Sequence, residues 1–190
     1  MITHNIFPTK MYEDTIDVEG LEGIITSIAK NTPTVSVSNV KGYQSKNLFH
    51  DENMQNVIKD INEIALLVKN FLGVGDGLLT VSQLWVNVNT KGSYNRSHIH
   101  PGAFLSGCLY VKANDDTGVI SFTDPRIGLR MHEMSFQTIP FNEPHNMVSY
   151  EITPKEGKII FFPAWLTHEV LSNESDEDRM SISFNMRFVQ

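Results

Sequence analysis

The sequence predicts a mainly β protein carrying a helical layer at its N-terminal end. Three observations point there. Apolar residues recur at helical spacing to about Gly77, and from Leu78 onward the pattern changes to short β-rich runs. Turn residues punctuate those runs, as at Asn114-Asp115-Asp116-Thr117-Gly118 and Thr153-Pro154-Lys155-Glu156-Gly157. No helical stretch interrupts them, which argues for an antiparallel sandwich or barrel rather than a parallel sheet.

In chain order, Leu21, Ile24, Ile25 and Ile28 define a first amphipathic helix. A stronger one starts near Asp51 or Asn53. Its apolar stripe is Val57, Ile58, Ile61, Ile64, Leu67, Val68 and Phe71, and Gly73 and Gly75 stop it. Both stripes are expected to pack on the outside of a sheet. Strand-like runs follow at 78–88, 103–111, 119–122, 135–139, 147–152, 158–162, 168–171 and 180–189, a set that suits a jelly roll. The length of 190 residues fits one domain with a real core. The expected organisation is a single domain over 1–190, with 1–77 as helical layer and 78–190 as β core.

Hydrophobic residues make up 41% and charged residues 19%, the balance of a globular chain. The formal net charge is -7 and no basic cluster occurs. Tracking phosphates needs clustered Lys and Arg, so extended nucleic-acid binding is not expected. Cys108 is the one cysteine, which excludes an internal disulfide, and its apolar setting reads as a buried small hydrophobe. The start Met1-Ile2-Thr3-His4-Asn5 has no signal-peptide pattern, and no apolar run is long enough to span a membrane. The expectation is a soluble cytoplasmic protein.

The chemistry concentrates at Ser97-His98-Ile99-His100-Pro101 and at Phe162-Pro163-Ala164-Trp165-Leu166-Thr167-His168. Strand alternation points residues two apart to the same face, so His98 and His100 can aim at one point. His168 closes the set if the fold joins the two segments, and neutral imidazoles then suit Fe, Zn, Cu or Ni. Isolated loop or core histidines are the competing reading. His4, His50, His132 and His145 have no partners at such spacing. His168-Glu169 is not the zinc-protease motif, because Ser172 stands where its second histidine belongs. Gly73-Val74-Gly75-Asp76-Gly77 follows a helix, not a strand, and is read as a turn.

Downstream, Arg179 and Ser181 share a strand face. An Arg fork grips a carboxylate through two bonds and a hydroxyl adds a third. Arg179 otherwise merely balances Glu174-Ser175-Asp176-Glu177-Asp178, read as a solvated hairpin loop.

Taken together, Trp85-Val86-Asn87, His98-Ile99-His100-Pro101, Leu105-Ser106-Gly107-Cys108-Leu109-Tyr110, the segment ending at His168 and Arg179-Met180-Ser181-Ile182-Ser183-Phe184-Asn185 resemble the 2-oxoglutarate and Fe(II)-dependent oxygenase superfamily. More narrowly, they resemble a branch common in marine bacteria and their phages, which would place the protein in a host cytoplasm if phage-encoded. The resemblance covers roughly the C-terminal two-thirds. It implies a double-stranded β-helix, a jelly-roll relative. It implies Fe(II), 2-oxoglutarate and O2 as cofactor and co-substrates, and hydroxylation with release of succinate and CO2. It implies that His98 and His168 ligate iron and that Arg179 with Ser181 holds the distal carboxylate, with Tyr110 a further contact. Asn87 is a candidate hydrogen-bond partner for the co-substrate or a ligand.

The superfamily usually has a carboxylate two residues after its first histidine, where this chain has His100. His100 either completes a three-histidine set or lines the pocket while water fills the position. Asp124-Pro125-Arg126 reads as a turn or as a charged rim, and 127–144 as a lid. The substrate class is a small molecule or a protein side chain, and homo-oligomerisation stays open. The rival functions are a cupin-like oxygenase without 2-oxoglutarate and a non-enzymatic jelly-roll interaction or virion module.

Overall fold

The computed structural model describes residues 2, 6–126 and 148–190. Two antiparallel sheets face each other. The larger has the order β1 (Tyr12–Thr15), β9 (Lys158–Pro163), β6 (Leu105–Lys112), β11 (Arg179–Val189), β4 (Leu78–Asn89) and β3 (Tyr43–Gln44). The smaller runs β2 (Asn39–Val40), β5 (Tyr94–His98), β10 (His168–Val170), β7 (Ile120–Thr123) and β8 (Ser149–Ile152). This is the mainly β, jelly-roll architecture expected of the chain.

Alternation assigns each face of the large sheet its own job. Its outer face meets α1 (Leu21–Asn31) and α2 (Gln55–Leu72). Ile25, Val57, Ile61, Ala65 and Val68 of the helices join Leu79, Leu84, Val86, Ile182, Phe184 and Met186 in one buried cluster. The close approach of β6 to β11 requires Gly107, because a Cβ there would collide with the Phe184 ring and the Ile160 carbonyl. Between the sheets, Ile120, Phe122 and Ile152 pack on Ile160, Phe162 and Leu166.

Helix α2 ends where expected, with Gly73 at φ 68 and its N–H on the Asn70 and Lys69 carbonyls. Asp51 caps a single 3₁₀ turn, Glu52–Met54, that precedes the helix. The first 77 residues are not a purely helical layer, since β1, β2 and β3 also lie there. Two-residue strands have no periodicity to read, and β1 is a charged edge strand. The expected strand at 135–139 and lid at 127–144 lie outside the described residues. Among the described residues no helix is long and apolar enough to cross a membrane.

Candidate metal and co-substrate site

β10 is a central strand of the small sheet, and its first residue, His168, lies directly opposite His98, the last residue of β5. His100 sits beyond the end of β5. Strand alternation therefore does not aim it, contrary to the sequence expectation. The turn after Pro101 does, held by the His100 N–H on the Ala164 carbonyl at 2.9 Å. The three rings converge all the same. One nitrogen from each of His98, His100 and His168 lies within 4.8 Å of the others, a set able to hold a metal ion.

The backbone fixes which nitrogens are offered. His98 Nδ1 is 2.6 Å from the Arg96 carbonyl and His168 Nδ1 is 2.9 Å from the Leu166 carbonyl. A carbonyl only accepts, so both Nδ1 atoms carry the proton and both Nε2 atoms keep a free lone pair. His100 Nε2 faces His168 Nε2 at 3.3 Å. Burial, with the neighbouring His98 adding to it, lowers the His168 pKa to about 3 and that of His100 to about 4. Burial also lowers His98, against its bond to Arg96. The rings are thus neutral at pH 7, the form that ligates metals. Packing holds them in place. Phe162 meets His168 edge-on at 4.7 Å, and Trp85 stacks on His100 at 5.8 Å.

Facing this cluster is the inner side of the large sheet. There β11 presents Arg179, Ser181 and Ser183. Ser181 lies directly opposite Asn87 of β4 on one side and Tyr110 of β6 on the other. A cleft partly open to solvent is bordered by His100, His168, Arg179, Ser181, Tyr110 and Asn87. Cys108, Asn95 and Ser183 border it too. Strand alternation puts Ser183 on the face of Arg179 and Ser181, whereas Cys108 and Asn95 have no sequence signal for this place.

Arg179 is 2% exposed. Its Nη1 donates to the Thr117 carbonyl and, at 3.0 Å, to the Gly118 carbonyl. Gly118, at φ +88, must be glycine, since a Cβ would strike the Leu171 and Ser172 carbonyls and the guanidinium itself. Arg179 Nη2 is buried and has no partner, and neither does Asn87 Oδ1, while Asn87 Nδ2 donates to Ser183 Oγ at 3.1 Å. Buried polar atoms are nearly always bonded, so orphans beside a cleft mark the place of a ligand. A buried guanidinium without a carboxylate partner calls for an anion. Burial raises the Tyr110 phenol well above its ordinary pKa, so it stays a neutral hydrogen-bonding group. Burial also pushes the Cys108 thiol up to about 11, which keeps it protonated and unreactive.

Of the remaining candidates, His50 packs on Phe49 away from the cluster. His4, His132 and His145 lie outside the described residues. Arg126 grips Asp124 at 2.7 and 3.0 Å, an intra-turn pair. Trp165, three residues before His168, is 55% exposed.

Residues 83–185 match the family described as "Putative 2OG-Fe(II) oxygenase", a stretch that contains every residue of the cluster and of the cleft floor named above. The chain belongs to that family. It is an oxygenase that depends on Fe(II) and 2-oxoglutarate, and the two rival functions fall away. No curated protein sequence matches the chain. Among solved structures, the epimerase SnoN of nogalamycin biosynthesis, in complex with Fe3+ and alpha ketoglutarate, is similar at TM-score 0.68 and 15% identity, covering 94% of this chain and 79% of SnoN. A Pseudomonas putida prolyl-4-hydroxylase gives 0.64 and 13%, covering 94% and 92%. The viral collagen prolyl hydroxylase of Paramecium Bursaria Chlorella virus-1, a 2OG complex, gives 0.60 and 16%, covering 94% and 96%. At these identities the likeness establishes the fold.

Proposed function

We propose that this single domain hydroxylates a C–H bond of a small molecule or protein side chain, with His98, His100 and His168 as the iron ligands. Arg179, Ser181, Tyr110 and Asn87 are the groups that hold 2-oxoglutarate. The observation that carries this reading is the convergence of three imidazoles on one point across a cleft from a buried, half-satisfied arginine.

The donor set fits the group. Two lone pairs are fixed outward by backbone carbonyls, and the third ring is braced by Trp85. When bound, Fe(II) with 2-oxoglutarate supplies oxidative decarboxylation coupled to oxygen insertion, so that substrate, 2-oxoglutarate and O2 become alcohol, succinate and CO2. The residues do the rest. Arg179 offers Nη2 to the distal carboxylate, and the Ser181 and Tyr110 hydroxyls flank it on neighbouring strands. Asn87 turns an amide toward the cleft. Phe122 and Phe162 exclude water behind His168. Three neutral imidazoles would leave Fe(II) with both positive charges, so with Arg179 the site would carry three against the two negative charges of 2-oxoglutarate.

The test is an anaerobic Fe(II) titration with and without 2-oxoglutarate, followed by the visible charge-transfer band of the chelate. The band is expected in the wild type and lost in His168→Ala. His100→Ala with unchanged iron affinity would reject ligation by His100, and a wild type without the band would reject the function.

A further inference from the structure

Strand β11 carries a second arginine on the face that floors the cleft. Arg179 and Arg187 each lie four residues from Ser183, about 13 Å along the strand in opposite directions. Ser183 is directly opposite Trp85, whose ring stacks on His100, so the imidazole cluster lies at the level of Ser183. Arg179 is buried at one end of this strand face, on the border of the cleft, and Arg187 is exposed at the other end, outside that border. The irregularity between Asn185 and Met186 leaves Ser82 of β4 as the extra residue, so β11 keeps its alternation. Met186 and Phe188 pack with the helices, which turns Arg187 to the opposite face of the sheet, the one that carries Arg179, Ser181 and Ser183. Lys59, Lys91, Lys112, Arg126 and Lys158 each face a carboxylate, whereas Arg96 on β5, like several exposed lysines, has no ion pair among the described residues. The Arg187 side chain has no ion-pair or hydrogen-bond partner among the described residues.

Charge arithmetic supplies an independent argument. Fe(II) brings two positive charges to the site and Arg179 one. The imidazoles are neutral ligands, and among the described residues no carboxylate borders the cleft. The 2-oxoglutarate dianion removes two charges. One positive charge is left over, in a partly enclosed cleft where charges are weakly screened.

We propose that the substrate is an organic acid whose carboxylate pairs with Arg187 while its reacting carbon lies at the imidazole cluster. This rests on the function proposed above and adds the substrate's chemical class and the residue that reads it. Bidentate pairing suits the guanidinium fork, and the acid supplies the missing negative charge.

The test uses hexanoate, octanoate and decanoate, each against its amide, titrated anaerobically into protein loaded with Fe(II) and 2-oxoglutarate. The readout is the shift of the charge-transfer band. In the wild type at least one acid is expected to act at a concentration about tenfold below that of its amide, the value of one charge-assisted pair. Arg187→Gln is expected to bring acid and amide together. Arg96→Gln, which removes an equal charge from β5, is expected to keep the preference. Acids and amides acting alike in the wild type would overturn the proposal, as would a preference that survives Arg187→Gln. A wild type that forms no band at all would instead overturn the function on which the proposal rests.

Discussion

The two faces of strand β11 run side by side along the same eleven residues, one toward the helices and one toward the cleft. On the helix side, Met180, Ile182, Phe184 and Met186 are at most 6% exposed and belong to the main core. On the cleft side, Arg179, Ser181 and Asn185 are at most 9% exposed. The first face is stabilised by area removed from water, which needs no direction. The second must find a partner for each polar atom. It does so at Asn185, which accepts from Ser106 and donates to Gln83, both at 2.8 Å. It fails to do so at Arg179 Nη2, and the neighbouring β4 fails likewise at Asn87 Oδ1, two residues on the border of the cleft. One face thus holds the fold, and the other holds unsatisfied bonding capacity in reserve for a ligand.

Substitutions on the two faces should separate these roles. The largest effect is expected from Phe184→Ala, which empties a fully buried ring site against Phe161 and Gly107. It should cost about 3–5 kcal/mol of unfolding free energy, read from the urea midpoint. A loss well under 1 kcal/mol would mean that the helix face does not carry the stability. Arg179→Leu should do the reverse. Removing a buried charge relieves its desolvation and offsets the lost bonds to Thr117 and Gly118, leaving metal-free stability within about 1 kcal/mol of wild type. Affinity for 2-oxoglutarate should fall by about 10- to 100-fold, since a bond to a charged group contributes about 1.5–3 kcal/mol. Calorimetry on both properties checks the pair. Unchanged 2-oxoglutarate affinity would remove Arg179 from the site.

The same contrast explains what could be read from residues alone. Helix α2 was legible because its apolar stripe repeats over many turns, and β4 and β11 because period-two alternation persists along long strands. Alternation on β11 also put Arg179 and Ser181 on one face, and Ser183 followed from it. β5 was not legible as a strand. Tyr-Asn-Arg-Ser-His has no apolar alternation, and it is a strand because β2 and β10 pair with it on either side. The convergence of His98, His100 and His168 was expected, but its cause was not. A backbone bond from His100 to Ala164, far away in sequence, does what strand geometry was expected to do. The cradle of Arg179 is likewise made of backbone carbonyls, which have no residue signature beyond Gly118. Long-range backbone contacts of this kind leave no local pattern.

Acid offers the gentlest way to probe the cleft face. His168 and His100 have pKa values of about 3 and about 4 in the folded protein, because burial disfavours their charged forms. In the unfolded chain both return to about 6.5. Between those limits the unfolded chain binds more protons than the folded one, so stability falls as pH drops. Their contribution is fully present above about pH 6.5 and is lost progressively toward the folded values. Metal-free protein should therefore show a lower urea midpoint at about pH 5 than at about pH 7, in a range above most carboxylate titrations. The double variant His100→Gln, His168→Gln should flatten that slope, because it removes the two groups that must stay neutral in the fold. Bound metal should steepen it instead, because a metal-held ring takes up no proton in the fold while the unfolded chain still does, and acid also displaces the metal. An unaltered slope in the double variant would mean that the acid sensitivity arises elsewhere and that these rings are not the neutral, desolvated set the geometry describes.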